Sequence, residues 1–138
     1  MADASFLSLA GAKVESQDAQ TRLVNSVLHL FQAGFVPTPT TVLADYLTNE
    51  CDFDGYVALT IAAWADPVLA GAAYVTYAPT QTFPWTHVAD DVGNQVGGSF
   101  LVTAGGVLYS ATIFDPTRPC MGPDQAIITT PTDVYPAG

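Results

Sequence analysis

Thirteen carboxylates, two histidines and two cysteines are the side chains here with ligating or reactive chemistry. Their spacing decides what they could do. Glu50, Asp52 and Asp54 alternate ahead of Gly55, and Asp90 and Asp91 are adjacent. Such oxygens could hold Ca²⁺, but no further acid stands where an EF-hand loop places one after its glycine. Two carboxylates facing each other across about 5–10 Å could hydrolyse a glycosidic bond. Acids flanking a glycine turn more commonly form the turn and keep it solvated. His29 sits in the apolar run "SVLHLFQA" and reads as a structural histidine with satisfied polar atoms. His87 follows Trp85 in an expected loop or edge strand. No CxxC, HxH, HExxH or GxSxG occurs, and neither histidine lies at ligand spacing from Cys51 or Cys120. Serines and threonines are plentiful, but none sits in an activating context. Tyr74, Tyr77, Phe83 and Trp85 could form a sugar-stacking platform, although aromatics of a β-sandwich more commonly fill its core or a subunit contact. No catalytic, cofactor-binding or metal-binding set is therefore assigned, and the chain reads as non-enzymatic.

The two cysteines admit two readings. A bridge between Cys51 and Cys120 would close a long loop and contribute roughly 3–5 kcal/mol on the chain-entropy model. Two buried thiols are the alternative, and the one that folding in a cytoplasm favours. The N-terminus lacks the basic start and apolar run of a secretion signal, which supports a cytoplasmic site of synthesis.

The elements that must position these residues are mainly strands. "SVLHLFQA" alternates Val27, His29 and Phe31 with Leu28, Leu30 and Gln32, as a strand with at least one buried face does. "FVPTPTT" breaks it, because Pro37 and Pro39 cannot donate to a ladder. "TTVLADYL" allows a helical turn or two. "DGYVALTIAAW" is the next expected strand, rich in β-branched and aromatic residues. "ADPVLAG" turns it, "AAYVTYAP" follows, and "TQTFPWTHV" suits a short edge strand. "SFLVTAGGVLYSATIF" reads as two strands about a Gly105-Gly106 turn. "DPTRPCMGPD" is a loop and "QAIITTPTDVY" the last strand. Ten prolines and eleven glycines fit such short strands. The expectation is an all-β antiparallel β-sandwich of about seven strands with one short helix; a jelly-roll or small barrel is a variant of it. Residues 25–138 form that domain, and residues 1–24 form a partly helical arm with Ser16 as N-cap and Asp18 in the first turn.

Charge narrows the partners. The 138 residues are 49% apolar and only 12% charged, about half the charged share of an average soluble domain. Lys13, Arg22 and Arg118 are the only cations, and the net charge is −10. Nucleic acids and anionic membranes are bound through Lys and Arg, so both fall away as partners. No segment approaches the roughly 20 apolar residues of a spanning helix. A chain this poor in charge is expected to hide surface against other subunits.

One long segment adds a resemblance. "LHLFQAGFVPTPTTVLADYLTNECDFDGY" is similar to small structural proteins encoded in the virion modules of tailed bacteriophages. There a strand ending in "LF" leads through "PTPTT" to "LADY", and "T-x-E/A-x-F-x-GY" opens the next strand. The matching positions are Leu30, Phe31, Pro37, Thr38, Pro39, Thr40, Thr41, Asp45, Tyr46, Thr48, Phe53, Gly55 and Tyr56. "VGGSFLVTAGGVLYSATIFD" and the stretch to "PTDVY" resemble that family's closing half, so the likeness spans roughly residues 27–135. Cys51 stands where that family has a small residue. The resemblance implies a virion structural protein, such as a capsid decoration or cementing protein or another head or tail accessory subunit. Its implied partners are a major capsid or tail protein and further copies of itself, with the arm latching onto a neighbour and the acidic body facing away from packaged DNA. A receptor- or carbohydrate-binding module and a self-assembling filament subunit are the alternatives. On every one of these readings the stretch from Leu28 to Tyr56 is a connector rather than a catalytic site.

Overall fold

The computed structural model describes residues 6–53, 55–84, 95–118 and 126–136. In chain order the elements are α1 (Leu9–Arg22), β1 (Ser26–Gln32), α2 (Leu43–Thr48), β2 (Leu59–Ile61), β3 (Val68–Ala70), β4 (Ala73–Tyr77), β5 (Gln81–Pro84), β6 (Val96–Val102), β7 (Leu108–Arg118), β8 (Ala126–Thr129) and β9 (Thr132–Pro136). The fold is all-β, antiparallel and sandwich-like. A four-stranded sheet runs β2-β1-β6-β7, a three-stranded sheet runs β3-β4-β9, and β5 pairs with β8. None of the sheets closes into a barrel.

Among the described residues nine strands appear where about seven are expected, for local reasons. "ADPVLAG" is not only a turn: Val68–Ala70 pairs with Ala73–Val75. "QAIITTPTDVY" divides at Thr130-Pro131 into β8 and β9, which join different sheets. "DGYVALTIAAW" yields only the three residues of β2, paired with Ser26–Leu28.

The first sheet is apolar on both sides. Leu28 and Leu30 of β1 enter a core shared with Leu23, Phe53, Trp64 and Phe83. On the opposite face Phe31, Phe100 and Val102 pack under Tyr46 of α2. The rings interlock there, with Phe31 edge-on to Phe35 (5.5 Å) and Tyr46 (6.1 Å). Such aromatic pairs add about 0.5–1.5 kcal/mol beyond area burial. Gly98 makes this possible, because a Cβ there would meet the Phe31 ring and the carbonyl oxygen of Thr112. The expected hairpin joins β6 to β7. Gly106, at φ 87°, supplies its left-handed residue, and its N–H donates to Thr103 O at 2.9 Å.

The segment expected as an arm belongs to the same body. Ser8, not Ser16, is the N-cap of α1, its Oγ accepting from Gly11 N at 3.0 Å. Ser16 lies mid-helix and fully buried, bonded to Thr76 Oγ1 at 2.8 Å. Ala12, Ser16 and Ala19 recur at helical spacing and are all buried, so small side chains bring the helix close to β4 and β9 of its own chain. Small residues carry almost no hydropathy signal, which is why the pattern reads weakly. Leu23 then enters the main core, and Asn25, at φ 58°, turns the chain into β1.

Gly98→Ala is expected to lower unfolding free energy in urea by about 1–3 kcal/mol through overpacking. Gly34→Ala, whose Cβ would meet nothing within 4 Å, should change it by less than about 0.5 kcal/mol.

Candidate functional site

Two features stand out: a half-buried polar cluster built from the Leu28–Tyr56 segment, and an exposed sheet face without charge. The cluster forms because β2 is too short to cover all of β1. Beyond Leu28 the outer edge of β1 is completed by residues 49–51: Gln32 N–H donates to Asn49 O and Cys51 N–H to Leu30 O, both at 2.9 Å. The Leu30 N–H then lacks a strand partner, and the phenol oxygen of Tyr56 accepts from it at 2.9 Å. Tyr56 donates in turn to Glu50 Oε2 at 2.6 Å, and His29 Nδ1 lies 2.6 Å from the same oxygen. Glu50 is the acceptor for both, which places a proton on His29 Nδ1. The imidazole stacks on Phe100, with ring centroids 4.6 Å apart and planes 7° from parallel.

This resolves the acids flagged in the sequence. Glu50 turns to His29, whereas Asp52 is exposed between Cys51 and Phe53, which point into the core. Among the described residues no three His, Cys, Asp or Glu side chains gather as a metal site. Asp54, His87, Asp90, Asp91, Trp85 and Cys120 lie outside the described residues. His29 is a histidine with a partner, as the sequence suggests, and its role is to tie the 49–56 segment onto β1. Sequence reading alone could not pair it with Glu50, 21 residues away.

Among the described residues, Tyr74, Tyr77 and Phe83 of the expected aromatic platform do not share one surface. Phe83 is fully buried in the core. Tyr74 and Tyr77 stand on opposite faces of β4, since their positions differ by an odd number. A second polar cluster joins the two larger sheets. Tyr109 of β7 donates to Asp133 Oδ2 at 3.0 Å and shares a 2.8 Å bond with the Tyr135 hydroxyl. Burial pushes the Asp133 carboxyl above its usual range, although the Tyr109 bond opposes the shift.

The charge-free face belongs to the β3-β4-β9 sheet. Tyr74, Thr76, Asp133 and Tyr135 share the side on which α1 lies. The other side carries Val68, Ala70, Ala73, Val75, Tyr77, Thr132, Val134 and Pro136, none of them charged. Val68, Val75 and Val134 line up across the three strands. Val68 is 50% exposed and Val134 52%, while Val75 between them is buried. A water-facing sheet surface normally alternates polar residues outward. Here the outward row is apolar.

Tyr56→Phe removes the acceptor of a buried N–H and a donor to Glu50, and should cost about 1–3 kcal/mol in denaturant unfolding. Tyr77→Phe, on an exposed ring, should change stability by less than about 0.5 kcal/mol. Burial, followed by hydrogen bonding to Glu50, raises the Tyr56 phenol well above the ordinary value near 10; burial and the Tyr135 bond do the same for Tyr109. The stability these phenols contribute is fully present below about pH 10, where the unfolded chain also keeps them neutral. It is lost as pH rises further, because the unfolded chain releases protons that the fold retains. The melting temperature should therefore fall above about pH 10, and less steeply in Tyr56→Phe and Tyr109→Phe.

Comparison with known proteins finds no family model, no curated protein and no solved structure that matches this chain.

Proposed function

We propose that this chain is a non-enzymatic structural subunit of a tailed-phage particle, a capsid decoration or cementing protein or another head or tail accessory subunit. The observation that carries the reading is the charge-free valine face. In a chain of net charge −10, carboxylates are missing from a whole sheet face, whose outer valines Val68 and Val134 are exposed. An uncharged apolar face of this kind suits a protein–protein contact, whose centre is depleted of charge. With five residues in β4 and β9 and three in β3, the face spans at most roughly 14 by 17 Å from strand spacing and rise. That is about a third of the roughly 800 Å² that one partner contributes to a stable two-body interface. A face of this size suits one of several simultaneous contacts, as in a capsid or tail lattice. The resemblance over residues 27–135 supports the same setting, and the acidic body suits a position away from packaged DNA.

The test uses particles made by the genome that encodes this chain, separated on a density gradient. The chain should travel with the particles in fixed stoichiometry. Val134→Asp should leave it in the soluble fraction, with an unchanged circular dichroism spectrum because position 134 is exposed. A wild-type chain that never enters the particle fraction overturns the reading.

A further inference from the structure

The outer edge of β7 is the least protected strand edge among the described residues. Sheet edges offer unpaired N–H and C=O groups, and proteins blunt them with short strands, charges or prolines. The other edges follow that rule. β2 and β3 are three residues long and β5 and β8 four, β3 follows Asp66-Pro67, and β9 carries Asp133 and ends at Pro136. In β7 the run Leu108–Phe114, "LYSATIF", has neither charge nor proline, and Asp115-Pro116 comes only after it. Among the described residues it pairs with β6 on one side and with no strand on the other. Ser110, Ala111, Thr112 and Ile113 are all exposed, Ile113 at 60%.

We infer that this edge pairs antiparallel with the same edge of a second copy, joining two four-stranded sheets into one continuous eight-stranded sheet. Three observations select a copy of this chain as the occupant. The backbone groups of an edge can be satisfied along their length only by another strand. The run is uncharged, with the Tyr109 hydroxyl turned inward to Asp133 and Tyr135. Two chains of net charge −10 can therefore meet here without opposing carboxylates. The exposed residues are also self-complementary. Opposite Leu101 and Ser99 stand Ser110 and Thr112, on one face; opposite Phe100 and Gly98 stand Ala111 and Ile113, on the other. A two-fold axis normal to the sheet sets hydroxyls against hydroxyls and apolar side chains against apolar ones, the cross-strand pairs that stabilise sheets. A cleft of about 460 Å³ lies beside the edge, lined by Pro37, Pro39, Tyr46, Leu108 and Ile113. The second copy's apolar row continues that lining. Pairing of this kind does not depend on a virion setting and leaves the valine face free for a different neighbour.

Sedimentation velocity on the full chain from about 1 to 200 µM, read together with amide hydrogen exchange, tests the pairing. The expected result is a concentration-dependent dimer in which amides of residues 108–113 gain protection. Ile113→Lys, which adds the edge charge that natural sheets use against pairing, should raise the dimer dissociation constant at least about ten-fold. Val134→Asp should leave it unchanged, so the two surfaces are read separately. A chain that stays monomeric throughout, or a dimer that Ile113→Lys leaves intact, overturns the pairing. So does protection of residues 108–113 that appears only when another virion protein is added, since that assigns the edge to a foreign strand. The exchange measurement on the wild-type chain decides the matter even if the lysine variant folds poorly.

Discussion

A central strand buried on both faces can leave no backbone group unpaired, and β1 imposes that constraint on the rest of this chain. Leu30 and Phe31 are fully buried on opposite sides of it, so water cannot satisfy their amides. β6 pairs with one edge along nearly its whole length. The other edge is met first by β2, then by residues 49–51, and at Leu30 N–H by a side chain. The long connection from Gln32 to Tyr56 is shaped by that task. Pro37 and Pro39 carry the chain away, and Thr38 and Thr41 close a tight local turn through bonds of 2.8 and 3.0 Å. α2 then seals the aromatic face with Tyr46.

The same economy governs the other polar groups. Ser16 meets Thr76, Trp64 Nε1 donates to Ser26, and His29 and Tyr56 converge on Glu50. No buried side-chain nitrogen or oxygen among the described residues lacks a partner. Polar chemistry inside this fold is spent on holding elements in place. Two uncharged surfaces stand outside among the described residues: the valine face of the β3-β4-β9 sheet and the edge of β7. The two surfaces differ in physical character. A sheet face binds through area and shape, without direction. A strand edge binds through a ladder of hydrogen bonds and fixes both orientation and register.

Much of the architecture is legible in the sequence because it is local. The alternation in "SVLHLFQA", the prolines of "FVPTPTT" and the Gly105-Gly106 turn each encode a backbone preference within a few residues, and each falls where expected. The misses share a cause. α1 is anchored by alanines and a serine, whose burial comes from close approach rather than from hydropathy. β3 and the β8–β9 break depend on which distant strand is available to pair. The expected strand over "DGYVALTIAAW" shrinks to three residues because most of that run finds no partner in the sheet.

The sequence by itself determined the class of fold, the poverty of charge and the lack of any motif that would activate a nucleophile or gather a metal, because these follow from composition and short-range spacing. Only the tertiary structure decided which residues meet. It brought Glu50 to His29, and it gathered Val68, Val75 and Val134 from three strands onto one face. It also left the uncharged run of β7 at the rim of a sheet. Each of these is a pairing across long stretches of chain, set by register and burial, to which the residues between contribute no local signal.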